Sequence, residues 1–259
     1  MRLIGLFVLL STPALAGPPE GYRLVWADEF NAQGLPDADK WAYDTEANAT
    51  GWYNNELQYY AVGRAETTAL GNGVLSITAR QERLTEAPDY GGQDYSSGRL
   101  ITRGLFEFTY GYVEVRAKLP CGQGLWPAIW MLGATGDWPA SGEIDIMEHL
   151  NAEPRVYGTL HMAATAGTGG LSQPHPLANA CEAFHLYQLT WTRDRIEIAV
   201  DGQTYNAYNN PGQGAETWPY DRPFYLLLNL AVGGDWPGDP DPSVLPATFE
   251  IDYVRVYQP

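Results

Sequence analysis

Ser141-Gly142-Glu143-Ile144-Asp145-Ile146-Met147-Glu148-His149 places three carboxylates within six residues of an otherwise apolar segment. Side chains on a strand alternate faces, so Glu143 and Asp145 point one way while Ile144 and Ile146 point the other. Strict alternation then puts Met147 with the acids and Glu148 with the isoleucines. One extra residue at Ile146-Met147, a β-bulge, returns Glu148 to the acid face and leaves the apolar side chains to a core. The segment therefore predicts a bulged strand at the boundary between a hydrophobic interior and a polar groove.

Three acids on one face, with no lysine or arginine between them, repel one another. That arrangement is useful where carboxyl pKa values must be pushed apart. Glycoside hydrolysis has this need: one carboxylate ionised at the anomeric carbon, one carboxylic acid protonating the leaving oxygen. At a rise of roughly 3.3 Å per residue the backbones of Glu143 and Glu148 stand well apart. Side chains leaning together would bring the carboxyls to the roughly 5–5.5 Å of a retaining pair, with Asp145 between them to tune the nucleophile. The competing reading is an ordinary amphipathic strand with a wet acidic face, but solvated faces usually mix signs.

The surrounding chain reads as strand and turn. Leu75, Ile77 and Ala79 alternate with Ser76, Thr78 and Arg80, and Val113, Val115 and Ala117 alternate with Glu114, Arg116 and Lys118, the pattern of half-buried strands. Leu189–Thr192, Arg195–Val200 and Gln203–Ala207 form an antiparallel meander, Asp201-Gly202 being a strong hairpin turn. Tyr225–Val232, apolar but for Asn229, predicts a central strand buried on both sides. No segment keeps helical spacing over three turns, and 28 Gly and 19 Pro punctuate the chain throughout. The expected fold class is all-β, a sandwich.

Residues 1–16 read as an export signal: Arg2, an apolar run from Leu3 to Leu10, then Ala14-Leu15-Ala16 as a small-residue cleavage site. The expected location is secreted or periplasmic, with residues 17–259 as one domain, since no linker, repeat or low-complexity tract divides them. Against 31 acids stand 15 bases, a net charge of -16, which excludes nucleic acid and anionic membrane as natural partners and favours a neutral one. Cys121 and Cys181 allow one disulfide in an oxidising compartment and are too few for a zinc site.

Nine Trp and 17 Tyr are many for this length, and sugars offer apolar C–H faces to aromatic rings, although large rings are also ordinary core residues. Trp41 and Trp191 are assigned to the core. Trp138, in a Gly, Asp and Pro loop five residues before Glu143, is placed to line the groove, and Trp236 sits on the loop 233–238, where exposure otherwise lacks a reason.

Glu143-Ile144-Asp145-Ile146-Met147-Glu148 resembles the bulged active-site motif of glycoside hydrolase family 16 in its laminarinase-like form. Trp26-Ala27-Asp28-Glu29-Phe30, Asn55-Glu56-Leu57-Gln58-Tyr59-Tyr60, Trp126-Pro127-Ala128-Ile129-Trp130-Met131-Leu132 and Asp252-Tyr253-Val254-Arg255-Val256-Tyr257 resemble the same group in the same order. The resemblance implies a jelly roll of two curved antiparallel sheets with a concave substrate cleft. It also implies a retaining endo-β-1,3-glucanase acting on laminarin-type polysaccharide, with Glu143 as nucleophile, Glu148 as acid and base and Asp145 between them. Asn55, Glu56, Arg99 and His161 match segments that would supply hydrogen bonds to sugar. Of Trp126 and Trp130, which straddle Pro127, one is expected to meet sugar while the other packs. No cofactor is expected for catalysis; one structural calcium, with Glu29 and Asp252 among its ligands, follows from the resemblance alone. A monomer is expected. Agar-type galactan or mixed-linkage β-glucan as substrate, transglycosylation, and a carbohydrate-binding protein on the same fold stand as alternatives.

Overall fold

The computed structural model describes residues 17–259; the export signal expected at residues 1–16 lies outside the described residues. Among the described residues the chain forms two sheets packed face to face. One has seven strands in the spatial order Leu171–Pro176, Arg155–His161, Glu143–Glu148, Leu125–Gly133, Phe224–Val232, Arg99–Ile101 and Ala42–Tyr43. The other, of ten strands, is built around Gly111–Lys118 and Ala247–Gln258 and carries the meander His185–Trp191, Arg195–Val200 and Gln203–Asn209 along one side. Every ladder is antiparallel except that between Gln58–Tyr60 and Tyr95–Ser97, which run parallel because a long excursion separates them in sequence. Asp201 (φ 48°) and Gly202 (φ 78°) both take positive φ at the meander turn, the geometry that matches the right-handed twist of the flanking strands.

The alternation read from sequence accounts for the core. Leu75, Ile77, Ala79, Val113, Val115 and Ala117 project inward from the ten-stranded sheet and are fully enclosed. Ile129, Met131, Ile144, Leu226 and Leu228 meet them from the seven-stranded sheet. Burying each large side chain contributes roughly 1.5–3 kcal/mol. Trp41 and Trp191 are core residues, and each buried indole N–H has an acceptor: Asp28 Oδ2 at 2.9 Å and the Tyr220 carbonyl at 3.1 Å. Phe224–Val232 is buried along its whole length, pairing on both edges with its inward face in the core and its outer face beneath other side chains.

Cys121 and Cys181 are joined as a disulfide across 60 residues, with Cα atoms 5.7 Å apart. The bridge packs against buried His149, whose Nε2 lies 3.5 Å and 3.8 Å from the two sulfurs. It thereby braces the end of the strand that carries the acids. Thiol titration of the oxidised protein in denaturant is expected to find no free thiol. Reduction is expected to lower unfolding free energy by about 4 kcal/mol, the loop-closure cost for a loop of this size; two titratable thiols before reduction would contradict the bridge.

Candidate active site

The strand Glu143–Glu148 lies in the seven-stranded sheet between Leu125–Gly133 and Arg155–His161. Its register slips between Asp145 and Met147 against the first neighbour and between Asp145 and Glu148 against the second, which is the bulge. Ile146 and Met147 consequently both enter the core, beside Ile144. The acids share the outer face: Glu143 is opposite Leu132 and His161, Asp145 opposite Trp130 and Thr159, Glu148 opposite Ala128 and Tyr157. Although they face away from the second sheet, Asp145 is 3% and Glu148 8% exposed. Trp126, Trp138 and Thr159 cover them from the outer side.

Each carboxyl has its own partners. The Trp126 indole N–H donates to Glu148 Oε1 and the Thr159 hydroxyl to Glu148 Oε2, both at 3.2 Å. The Trp138 indole N–H donates to Glu143 Oε2. His161 Nε2 stands 3.2 Å from Asp145 Oδ2, and Glu143, Asp145 and His161 bring ligand atoms within 4.8 Å of one another.

Burial is the main reason that all three acids hold protons more tightly than free carboxyls. Glu148 is pushed up to about 7 by burial and then by the charge of Glu143, against donation from Trp126 and Thr159. Glu143 is raised by burial and by Asp145, with His161 and Trp138 opposing. Asp145 is raised by burial and by Glu148. Contact between Glu143 and Asp145 raises the first and opposes the rise of the second. The three acids titrate as one interacting set in which Glu148 holds its proton to near neutrality.

Arg99, on the short strand Arg99–Ile101, forms an ion pair with Asp44 at 2.8 Å, both nearly fully buried. Its guanidinium lies between the rings of Trp52 and Trp130, 4.8 Å from each centroid. Trp126 and Trp130, four residues apart on one strand, share its outer face, both half-buried, and Trp130 packs beside Ile101, Tyr225 and Leu227. Trp126 bonds Glu148, while the Trp130 N–H donates to Asn229 Oδ1 at 2.7 Å.

Asn55 closes a short turn, Tyr53–Asn55, in which Asn54 and Asn55 have φ of 56° and 55°. The Asn55 amide donates to Asp235 Oδ1 at 2.9 Å, tying this turn to the loop that carries Trp236. Glu56 is half-buried and accepts from Gln58 Nε2 at 2.9 Å; burial raises its pKa, with Gln58 and Arg99 opposing. Trp236 remains 43% exposed although its ring meets Trp126 (5.3 Å) and Tyr157 (5.1 Å), and Trp138 is 57% exposed with His161 at 6.0 Å. Two aromatic faces thus flank the acids, one beside Glu148 and one beside Glu143.

Glu29 and Asp252, the residues expected at a calcium site, are each paired with an arginine. Arg255 clamps Glu29 with two hydrogen bonds, at 2.7 Å and 2.8 Å, and holds its carboxyl below the usual range, while Arg116 pairs with Asp252. Each acid is charge-paired with a guanidinium that competes with a hard cation for its oxygens. Among the described residues, neither belongs to a cluster with metal-ligand spacing.

Sequence reasoning missed Trp52, Asp44, Thr159, Tyr157 and Asn229. Three of them carried a signal. Tyr157, Thr159 and His161 are spaced by two, so a strand through His161 puts all three on the acid face. Asn229 is a lone amide in a doubly buried strand, which needs a partner; it accepts from Trp130 and donates to the Tyr60 hydroxyl at 3.0 Å. Asp44 and Trp52 meet Arg99 only through tertiary packing.

The sequence profile of Glycosyl hydrolases family 16 matches residues 55–255. A beta-glucanase of Rhodothermus marinus is 44% identical over 256 residues, covering 92% of this chain and 85% of that protein. The solved laminarinase of Rhodothermus marinus superposes with a TM-score of 0.85 at 43% identity, covering 93% of this chain and 98% of that one. A second solved structure, a non-specific endo-beta-1,3(4)-glucanase with 1,3-beta-D-cellobiosyl-glucose at its active site, gives 0.91 at 51% identity over 95% of this chain and 98% of that one.

Proposed function

The chain belongs to glycosyl hydrolase family 16, and from that premise we propose that it is an exported endo-acting β-1,3-glucanase that cleaves laminarin-type glucan with retention of configuration. The observation that carries this reading is the bulged strand: it turns Glu143 and Glu148 onto one enclosed face but gives them different partners. Glu143, in its ionised form, attacks the anomeric carbon. Glu148 gives its proton to the departing glycosidic oxygen, and a covalent glycosyl ester forms on Glu143. Glu148, now ionised and steadied by Trp126 and Thr159, takes a proton from water as that water attacks the ester. His161 and the Trp138 indole both favour the ionised form of Glu143.

The exposed faces of Trp138 and Trp236 supply stacking surfaces on either side of the reacting bond. Arg99, 4.8 Å from the Trp52 and Trp130 rings, with Glu56, whose carboxyl it steadies, and the adjoining Asn55, supplies polar contacts along the same groove. A neutral glucan suits a chain of net charge -16. Mixed-linkage cleavage by the same acids is the second reading, because a structural neighbour of 51% identity is described as acting on both linkages. The protein is read as a monomer that needs no cofactor for this chemistry. Export rests on the N-terminal sequence alone.

Proton NMR of the first products from laminarin is the decisive experiment. The expected result is a spread of oligosaccharides whose new reducing ends appear first as β anomers. Initial α anomers would overturn the retaining mechanism. Agarose cleavage with laminarin untouched would move the substrate to galactans, and cleavage of lichenan at comparable rates would establish the mixed-linkage reading.

A further inference from the structure

The bulge that turns Glu148 onto the acid face interrupts the strand ladder, and a buried carbonyl left without a donor is costly. At Ile146 a donor comes from the other sheet. The hydroxyl of Tyr205, on Gln203–Asn209, donates to the Ile146 carbonyl oxygen at 3.1 Å. Its route is prepared by Gly158, where a Cβ would stand 2.8 Å from the Tyr205 oxygen and 2.9 Å from its Cε2. Asn206, the next residue, donates to the carbonyls of Gly158 and Leu171, both at 2.9 Å, and the His175 ring lies 5.2 Å from that of Tyr205. Together these contacts stitch the end of the meander to the strands beside the acids.

We propose that Tyr205 is a positioning residue for Glu148: by holding the Ile146 carbonyl across the sandwich it fixes the bulge, and the bulge sets the direction of the Glu148 carboxyl. The hydroxyl is hydrogen-bonded to neither acid, so its effect passes through the backbone. Glu143 precedes the bulge and stays in regular register with Leu132 and His161. Glu148 follows it, and a strand relaxed by one residue points Glu148 toward the core. Loss of the phenol hydroxyl therefore weakens the acid and base steps and leaves nucleophilic attack in place.

This inference rests on the proposed role of Glu148 and makes a different prediction from a loss of stability. In Tyr205→Phe, which keeps the ring, kcat/KM on laminarin is expected to fall roughly tenfold to a hundredfold, a fraction of what a general acid contributes. On a dinitrophenyl β-glucan oligosaccharide, whose leaving group needs no proton, kcat/KM is expected to change by less than about threefold. Azide, a nucleophile that needs no general base, is expected to restore kcat on the activated substrate. Gly158→Ala, which keeps the hydroxyl but crowds it, is expected to show the same selectivity.

Thermal unfolding of both variants identifies folded protein for the assays. Equal losses on the two substrates, or wild-type rates on both from folded Tyr205→Phe or Gly158→Ala, would overturn the positioning role. Parallel assay of Glu148→Gln separates the two ideas. Should that variant show the leaving-group selectivity and the Tyr205 and Gly158 variants not, Tyr205 alone is misassigned. If Glu148→Gln itself lacks it, the acid assignment fails, and the positioning role with it.

Discussion

Glu143→Gln is expected to lower laminarin hydrolysis by roughly 10⁴–10⁶-fold, the scale seen when a covalent nucleophile is removed from an otherwise intact site, while laminarin oligosaccharides still bind. The amide is nearly isosteric, can still accept from the Trp138 indole, and forms no glycosyl ester. Its effect on stability has a definite sign. Burial raises the folded-state pKa of Glu143 well above its ordinary 4.5, so the folded protein holds this proton more tightly than the unfolded chain. Stability is therefore lost as pH rises above the unfolded value and through the folded one. Glutamine removes that loss. The melting temperature of Glu143→Gln should match the wild type near pH 4 and exceed it at neutral pH, as differential scanning calorimetry at the two pH values would show. Hydrolysis near the wild-type rate would sink the nucleophile assignment.

Glu148→Gln is expected to be the second large loss, and to differ in kind. General acid catalysis contributes roughly 10²–10⁴-fold, so natural glucan should suffer by about that factor, while activated aryl glycosides should retain most of their kcat/KM. The pH profile should change with it. In the wild type, activity falls on the acid side as the nucleophile Glu143 takes up a proton, and on the alkaline side as Glu148, raised to about 7, loses its own. These limbs belong to the coupled acids jointly. Removing Glu148 should erase the alkaline limb for activated substrates and leave the acid limb. A limb near neutrality that survives in Glu148→Gln would mean that another group supplies the proton.

Both predictions concern residues legible in one short stretch, and the reason is local. Two-residue periodicity decides which side chains share a face, so Glu143, Asp145 and Glu148 could be placed together, and the bulge inferred, without any knowledge of the neighbouring strands. The same periodicity located the inward rows around Ile77 and Val115, the meander and its Asp201-Gly202 turn, and the buried strand ending at Val232. Those features are properties of a chain a few residues at a time. Partners drawn from distant segments were not legible. That Trp126 would bond Glu148 and Trp130 carry Arg99 depended on what arrives opposite them. Arg99 finds Asp44 and Trp52 because Ala42–Tyr43 and the turn Tyr53–Asn55 fold onto its strand, and nothing in the sequence near Arg99 indicates either. That Arg255 pairs with Glu29 and Arg116 with Asp252 is decided between distant segments. The Tyr205 hydrogen bond to Ile146 spans two sheets and 59 positions. By itself, then, the sequence determined the strands, their inward faces, the bulge and the presence of the acids, because each follows from side-chain alternation and backbone chemistry along the chain. Only the tertiary structure decided which donors reach each carboxyl, which charges cancel and what holds the bulge in place, because those depend on distances between segments that sequence spacing does not encode.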